Sequence, residues 1–197
     1  MSETIRSPSS PTLQNETEIR HPGAAGDVAD YEYNWTIYAA LSGVVGAFIV
    51  AVTFLAIDLL SGRPPLWTPT ALGSALFLGE PLSPDVNFSA MLGIPIVFAY
   101  TLMHGVVFLG FGALAASGRL THERSKHFTW GPAVGTALLL FLGLEITFLA
   151  LGWIVGPGLD LAAWLGLGWI AFANALAAIG MTLTIGWAAR RLAKRSS

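Results

Sequence analysis

The sequence contains no cysteine. That excludes disulfides, thiolate metal sites, iron–sulfur clusters and covalent attachment of a c-type haem. Charge is scarce as well. Asp, Glu, Lys and Arg make up 11% of the 197 residues, where soluble domains carry about 25%. Recognisable catalytic patterns are also missing: no phosphate-binding glycine loop, no nucleophile elbow and no dinucleotide fingerprint. The first 34 residues are polar, and the first apolar run is too long and too late for a cleaved signal peptide.

The few charges leave long gaps. No Asp, Glu, Lys or Arg falls in residues 33–57, 86–118 or 161–189, and a fourth apolar run, roughly 130–157, is broken only by Glu145. A helix crossing a bilayer needs about 20 mostly apolar residues, so each run is long enough. The spacing predicts spans over about 35–60, 92–116, 131–155 and 161–188. Four buried helices of a soluble core would leave this chain too little polar surface to cover them. The expected fold class is an all-α membrane protein. It is a four-transmembrane-helix bundle occupying residues 35–189, between a disordered tail (1–34) and a basic tail (190–197). The tail stretch "SPSSPTLQNETEIRHPGAAGD" is rich in Ser, Pro, Thr and Gly and poor in large apolar residues, a disordered composition.

Positive charge orients the bundle. With four spans, both termini and the loop between spans 2 and 3 share one side. That side holds Arg6, Arg20, Arg119, Arg124, Lys126, Arg190, Arg191, Lys194 and Arg195, and the other holds only Arg63. The positive-inside rule then places both termini in the cytoplasm. The basic end "RRLAKRSS" reads as a stop-transfer anchor favouring anionic headgroups, and nucleic acid is not an expected partner.

The outer connection between spans 1 and 2 carries its own helix signals. Thr68–Pro69 reads as an N-cap followed by proline at the first helical position, and Gly79 and Pro81 form a stop. A helix over about 69–78 is too short to cross. It is either an interfacial helix lying on the outer surface or a re-entrant segment covering a cavity.

Few polar side chains remain at the bilayer centre. The second span has His104, with Tyr100 and Thr101 one turn earlier. The third has Glu145, the fourth has Asn174, and Asp58 sits near the outer end of the first. Positions 104 and 145 are equidistant from the charged turn "HERSKH", and 145 and 174 are equidistant from "GPGLD". At a rise of about 1.5 Å per residue, His104, Glu145 and Asn174 stand level near the midplane. An ionised group there costs about 2.5–3.5 kcal/mol on insertion scales. A proton on Glu145, or pairing with His104, removes that cost. The row is therefore expected to face inward, supported by Tyr100, Thr101 and Asp58. Four roles are open to it: a clamp fixing helix register, a proton or ion pathway, a metal or haem site using His104 and Glu145, or a contact with a partner protein. A bis-His haem would need a second subunit. His122, Glu123 and His127 form H-E-x-x-x-H, one residue longer than the zincin spacing, and read as a solvated loop.

Small residues four apart, Ser42 with Gly46, Gly112 with Ala116 and Ala173 with Ala177, allow close helix approach within the chain or in a homo-oligomer. The stretches "GRPPLWTPTALGSALFLGE", "AYTLMHGVVFLGFGALAA" and "FLGLEITFLALG" together resemble uncharacterised bacterial four-helix inner-membrane proteins over most of residues 40–190. That resemblance implies a bacterial inner-membrane setting and no particular activity.

Overall fold

The computed structural model describes residues 23–79, 90–122, 130–155 and 165–195. Among them every element is a helix: α1 (Gly23–Leu60), α2 (Trp67–Leu78), α3 (Ala90–His122), α4 (Trp130–Val155) and α5 (Leu167–Arg195). Four are long and apolar enough to cross a membrane, over Trp35–Leu60, Gly93–Ser117, Ala133–Ile154 and Leu167–Arg191.

Three helices run further than expected. α1 begins at Gly23, so residues 23–34 are helical where a disordered tail is expected from composition. Extending an existing helix needs no new nucleus, and "AAGDVADYEYN" has no proline to stop it. α3 continues to His122, and α5 continues to Arg195 through "AARRLAKR", all residues of good helix propensity. The expected start of the last span, at 161, lies partly outside the described residues. Within them, Gly166 at φ 82° breaks the chain just before α5.

α1 is the centre of the bundle. It packs along α3 on one side and α5 on the other, while α4 packs on α5 and meets α3 only marginally. The α1–α3 seam is a ladder with a four-residue step on both antiparallel helices. Trp35 and Ala39 are buried in one cluster with Ala116. A Cβ on Gly112 would strike the Ala39 carbonyl oxygen, and one on Gly43 would stand 2.5 Å from the Phe108 carbonyl oxygen and 2.8 Å from Leu109 Cα. The next rung sets His104 against the Ala47 carbonyl. Between apolar helices in lipid, this packing is van der Waals contact, which falls off steeply with any gap.

The α1–α5 seam is equally close. Gly46 lies against Met181 and Phe108, and Gly180 lies against the Ile49 Cδ1. Ala173, Ala177, Met181 and Ala188 are fully buried. The paired small residues read from the sequence therefore sit mostly at contacts, with Ser42 and Ala116 also buried.

Hydroxyl groups look after themselves. Ser42 donates to the Ala39 carbonyl, Thr53 to Ile49, Thr147 to Gly143, Thr182 to Ala178 and Thr184 to Gly180. Such bonding three or four residues back satisfies a hydroxyl within its own helix. Aromatic and basic groups gather at one end of the bundle, where Trp187 meets Tyr38 edge-on at 5.8 Å and Arg191 lies 4.8 Å over the Trp187 ring.

α2 begins two residues earlier than the sequence suggests. Leu66, at φ 68°, precedes it in a left-handed conformation and offers no side-chain cap. The cap comes from α1 instead. Asp58, fully buried, accepts the Thr68 N–H at 2.9 Å and the Thr68 hydroxyl at 2.7 Å. Arg63 stands 3.9 Å from the same carboxylate and 4.1 Å over the Trp67 ring. Gly79, at φ 79°, ends the helix as expected. The inner face of α2 buries Thr70, Ala71, Gly73, Ser74 and Ala75, and Gly73 rests on Ile96 and Tyr100 of α3.

Two substitutions on α1 and α3 separate contact from open space. Gly43→Leu should destabilise the protein by about 2–3 kcal/mol through overpacking. Gly110→Leu, where an added Cβ meets nothing, should stay within about 0.5 kcal/mol of the parent. Unfolding in mild detergent measures both, and equal effects would contradict the α1–α3 seam. Asp58→Ala strands the Thr68 donors and should cost about 2–3 kcal/mol, read as faster hydrogen exchange confined to residues 64–78.

Candidate functional site

The inward polar residues fall into two groups. Asn174, buried on α5, donates from Nδ2 to the Glu145 Oε1 on α4 at 2.9 Å. This bond joins two polar side chains on different membrane-length helices. It fastens α4 to α5 at the height where the sequence sets these residues level. Glu145 itself is half-buried.

His104 stands apart from that pair. Its ring lies between two aromatic neighbours on α3, stacked on Tyr100 at 5.7 Å and 28°, and tilted against Phe108 at 4.7 Å and 45°. Its Nε2 is buried without a hydrogen-bond partner. The expected direct pairing of His104 with Glu145 does not form, because α4 leans on α5 and leaves a gap against α3.

That gap is a cavity walled by all five helices. It measures about 80 Å³, or about 600 Å³ when its open side is counted. Val50, Phe108, Leu144, Ile170 and Asn174 form its buried floor. Met103 and Val107 on α3 face Thr147 and Leu151 on α4 across its half-exposed rim. Tyr100, His104 and Asn174 supply polar groups to walls that are otherwise apolar, with Phe54 and Phe148 adding aromatic faces. Leu72 of α2 closes one side.

Of the supporting residues, Tyr100 joins the cavity, and Thr101 and Asp58 do not. Thr101 is exposed and returns its hydroxyl to the Val97 carbonyl at 2.7 Å, since one residue's step turns it about 100° around the helix. Asp58 is occupied as the cap of α2. His122, Glu123 and His127 lie outside the residues whose side chains are described. Among the described residues no three His, Asp or Glu side chains gather where they could hold a metal ion. His104 and Glu145 do not share a ligand position either, as Glu145 is not part of the cavity wall. The functional feature that sequence reasoning misses is the cavity. Its aromatic walls come from three separate helices and follow no local spacing.

Comparison with protein-family models, with curated proteins and with solved structures finds no match for this chain.

The Asn174–Glu145 bond is testable by a double-mutant cycle. Asn174→Leu and Glu145→Leu should each lower stability in detergent, and the double variant should lose less than their sum. The coupling expected is about 0.6–1.7 kcal/mol, the range of polar pairs between membrane helices. Simple additivity would mean the pair makes no bond in the folded protein.

Proposed function

We propose that this chain is a small multi-pass protein of a bacterial inner membrane, serving as an accessory or assembly component of a larger membrane complex. The four apolar helices support the membrane setting. The nine-to-one distribution of Lys and Arg supports cytoplasmic termini, with α2 on the outer side. The lipid bilayer is then its first partner.

One observation carries the assembly reading. Only 11% of the apolar stretch of α3, and 11% of that of α4, is buried by the rest of the chain, against 44% for α5. Two of the four spans thus have few residues fully buried by the rest of the chain. Gly105 and Gly110 on α3, and Gly135 and Gly152 on α4, have open space where a Cβ would stand. Those faces let another helix approach closely, from a partner protein or a second copy.

A second reading has its own support. Glu145 is tied to Asn174, and Asn174 shares a cavity wall with His104. Intramembrane carboxylate and histidine groups accompany proton and ion pathways, and a free imidazole nitrogen suits a metal or haem iron. Under this reading the protein handles protons, ions or a metal.

Native mass analysis in mild detergent should find this 20.8 kDa chain within a larger assembly, and a lone monomer under gentle extraction contradicts the first reading. Reconstituted vesicles, an absorption spectrum and metal analysis decide the second. Glu145→Gln, which keeps an acceptor for Asn174, should retain the fold. If the second reading holds, this variant should slow proton or ion flux at least tenfold.

A further inference from the structure

Glu145 is the one acidic or basic residue between 130 and 157, and one of its oxygens is unused. Oε1 accepts from Asn174 at 2.9 Å. Oε2 makes no hydrogen bond among the described residues, and it is not sealed inside the protein. The residue as a whole is half-buried. Its open side is not the α3–α4 cavity, whose wall on α4 is Leu144, Thr147, Phe148 and Leu151. A step of about 100° around the helix separates Glu145 from Leu144. That step sets Glu145 on a face with Leu138, seven residues earlier, and Leu149, four later, which are 56% and 55% exposed. Gly152, seven residues further on, has open space where a Cβ would stand. The bilayer core supplies no water to this face, so a carboxyl oxygen there needs a donor from outside the chain.

We propose that this face of α4 docks a transmembrane helix of a different protein, one carrying a lysine or arginine at the bilayer midplane that donates to Glu145 Oε2. The inference rests on the assembly reading and names the chemistry of the partner. Charge complementarity decides the occupant. A carboxyl group and a basic side chain are each costly alone at that depth, and intramembrane ionisable groups accordingly pair with one another. A lipid tail offers no donor. A second copy of this chain offers no cation, since no Lys or Arg lies in residues 33–57, 86–118, 130–157 or 161–189. A symmetric contact along α4 would set Glu145 against Glu145. Hydroxyl groups on membrane helices bond back to their own carbonyls, as Thr147 and Thr184 do here. A lysine has three donors and no such commitment. Gly152 leaves room for the incoming backbone, and Asn174 stays on Oε1 while the partner takes Oε2.

The test uses the full chain in nanodiscs, labelled at Ser197→Cys, a unique thiol because the sequence has no cysteine. Energy transfer reports binding of two labelled leucine–alanine helices of about 22 residues, long enough to span. One has a lysine at its centre and the other a leucine. The lysine peptide should bind at least tenfold more tightly, a difference of about 1.4 kcal/mol. Glu145→Leu should abolish that preference. Leu149→Lys, which places a cation one turn along the same face and leaves the Asn174 bond alone, should abolish it too. The same variant should release the chain from its larger assembly in native mass analysis. Equal binding of the two peptides overturns the proposal, as does a preference that survives either variant. If Glu145→Leu does not fold, Leu149→Lys decides the matter. An assembly that persists in Leu149→Lys overturns this inference and leaves the assembly reading standing. A lone parent monomer overturns that reading, and this inference with it.

Discussion

The close approach of α1 and α3 determines most of what the bundle does. Ala39, Gly43 and Ala47 form a small-residue stripe on α1, one residue per turn. Gly112 and the Phe108 backbone settle directly onto it. A side chain larger than alanine at these rungs would hold the helices apart. Because they touch, His104 is carried close to the Ala47 backbone, and its Nε2 is buried without a hydrogen-bond partner. That buried nitrogen follows from helix packing several residues away.

α5 completes the frame from the opposite side of α1, and α4 hangs on α5. The Asn174–Glu145 bond is the polar part of that attachment. In lipid, neither group finds water, so each is satisfied only by the other or by a proton. α4 consequently follows α5 and stands off from α3, and the cavity is the space this leaves. α2 closes it from one end, held by the buried Asp58 cap rather than by a local one. Its short length cannot cross the membrane, and its inner face is buried against the bundle.

Much of this was legible in the residues. The spans follow from charge-free runs, because lipid tolerates little else. The level placement of Glu145 and Asn174 follows from equal distances to a turn. Gly79 ends α2 because only a left-handed residue fits there. Other features were not legible. Helix length beyond the apolar runs depends on propagation into polar residues, which hydropathy does not register. Level height does not say which helices are neighbours, so His104 was expected to pair with Glu145 although α3 and α4 barely meet. Asp58, near the outer end of the first span, read as a support of the polar row, because a cap supplied from ten residues away leaves no local pattern at Thr68. Thr101 shares a turn with Tyr100 but faces outward, and only the packing of α1 on α3 fixes which of the two points in.

The account rests on the close approach of α1 and α3. The sequence has no cysteine, so a pair introduced as Ala39→Cys with Ala116→Cys, two positions buried in one cluster, reports on that seam directly when the membranes are oxidised. The predicted result is a crosslink within one chain for this pair and none for Val106→Cys with Ile146→Cys, two exposed positions on helices that meet only marginally. No crosslink at the first pair, or equal crosslinking at both, would contradict the account.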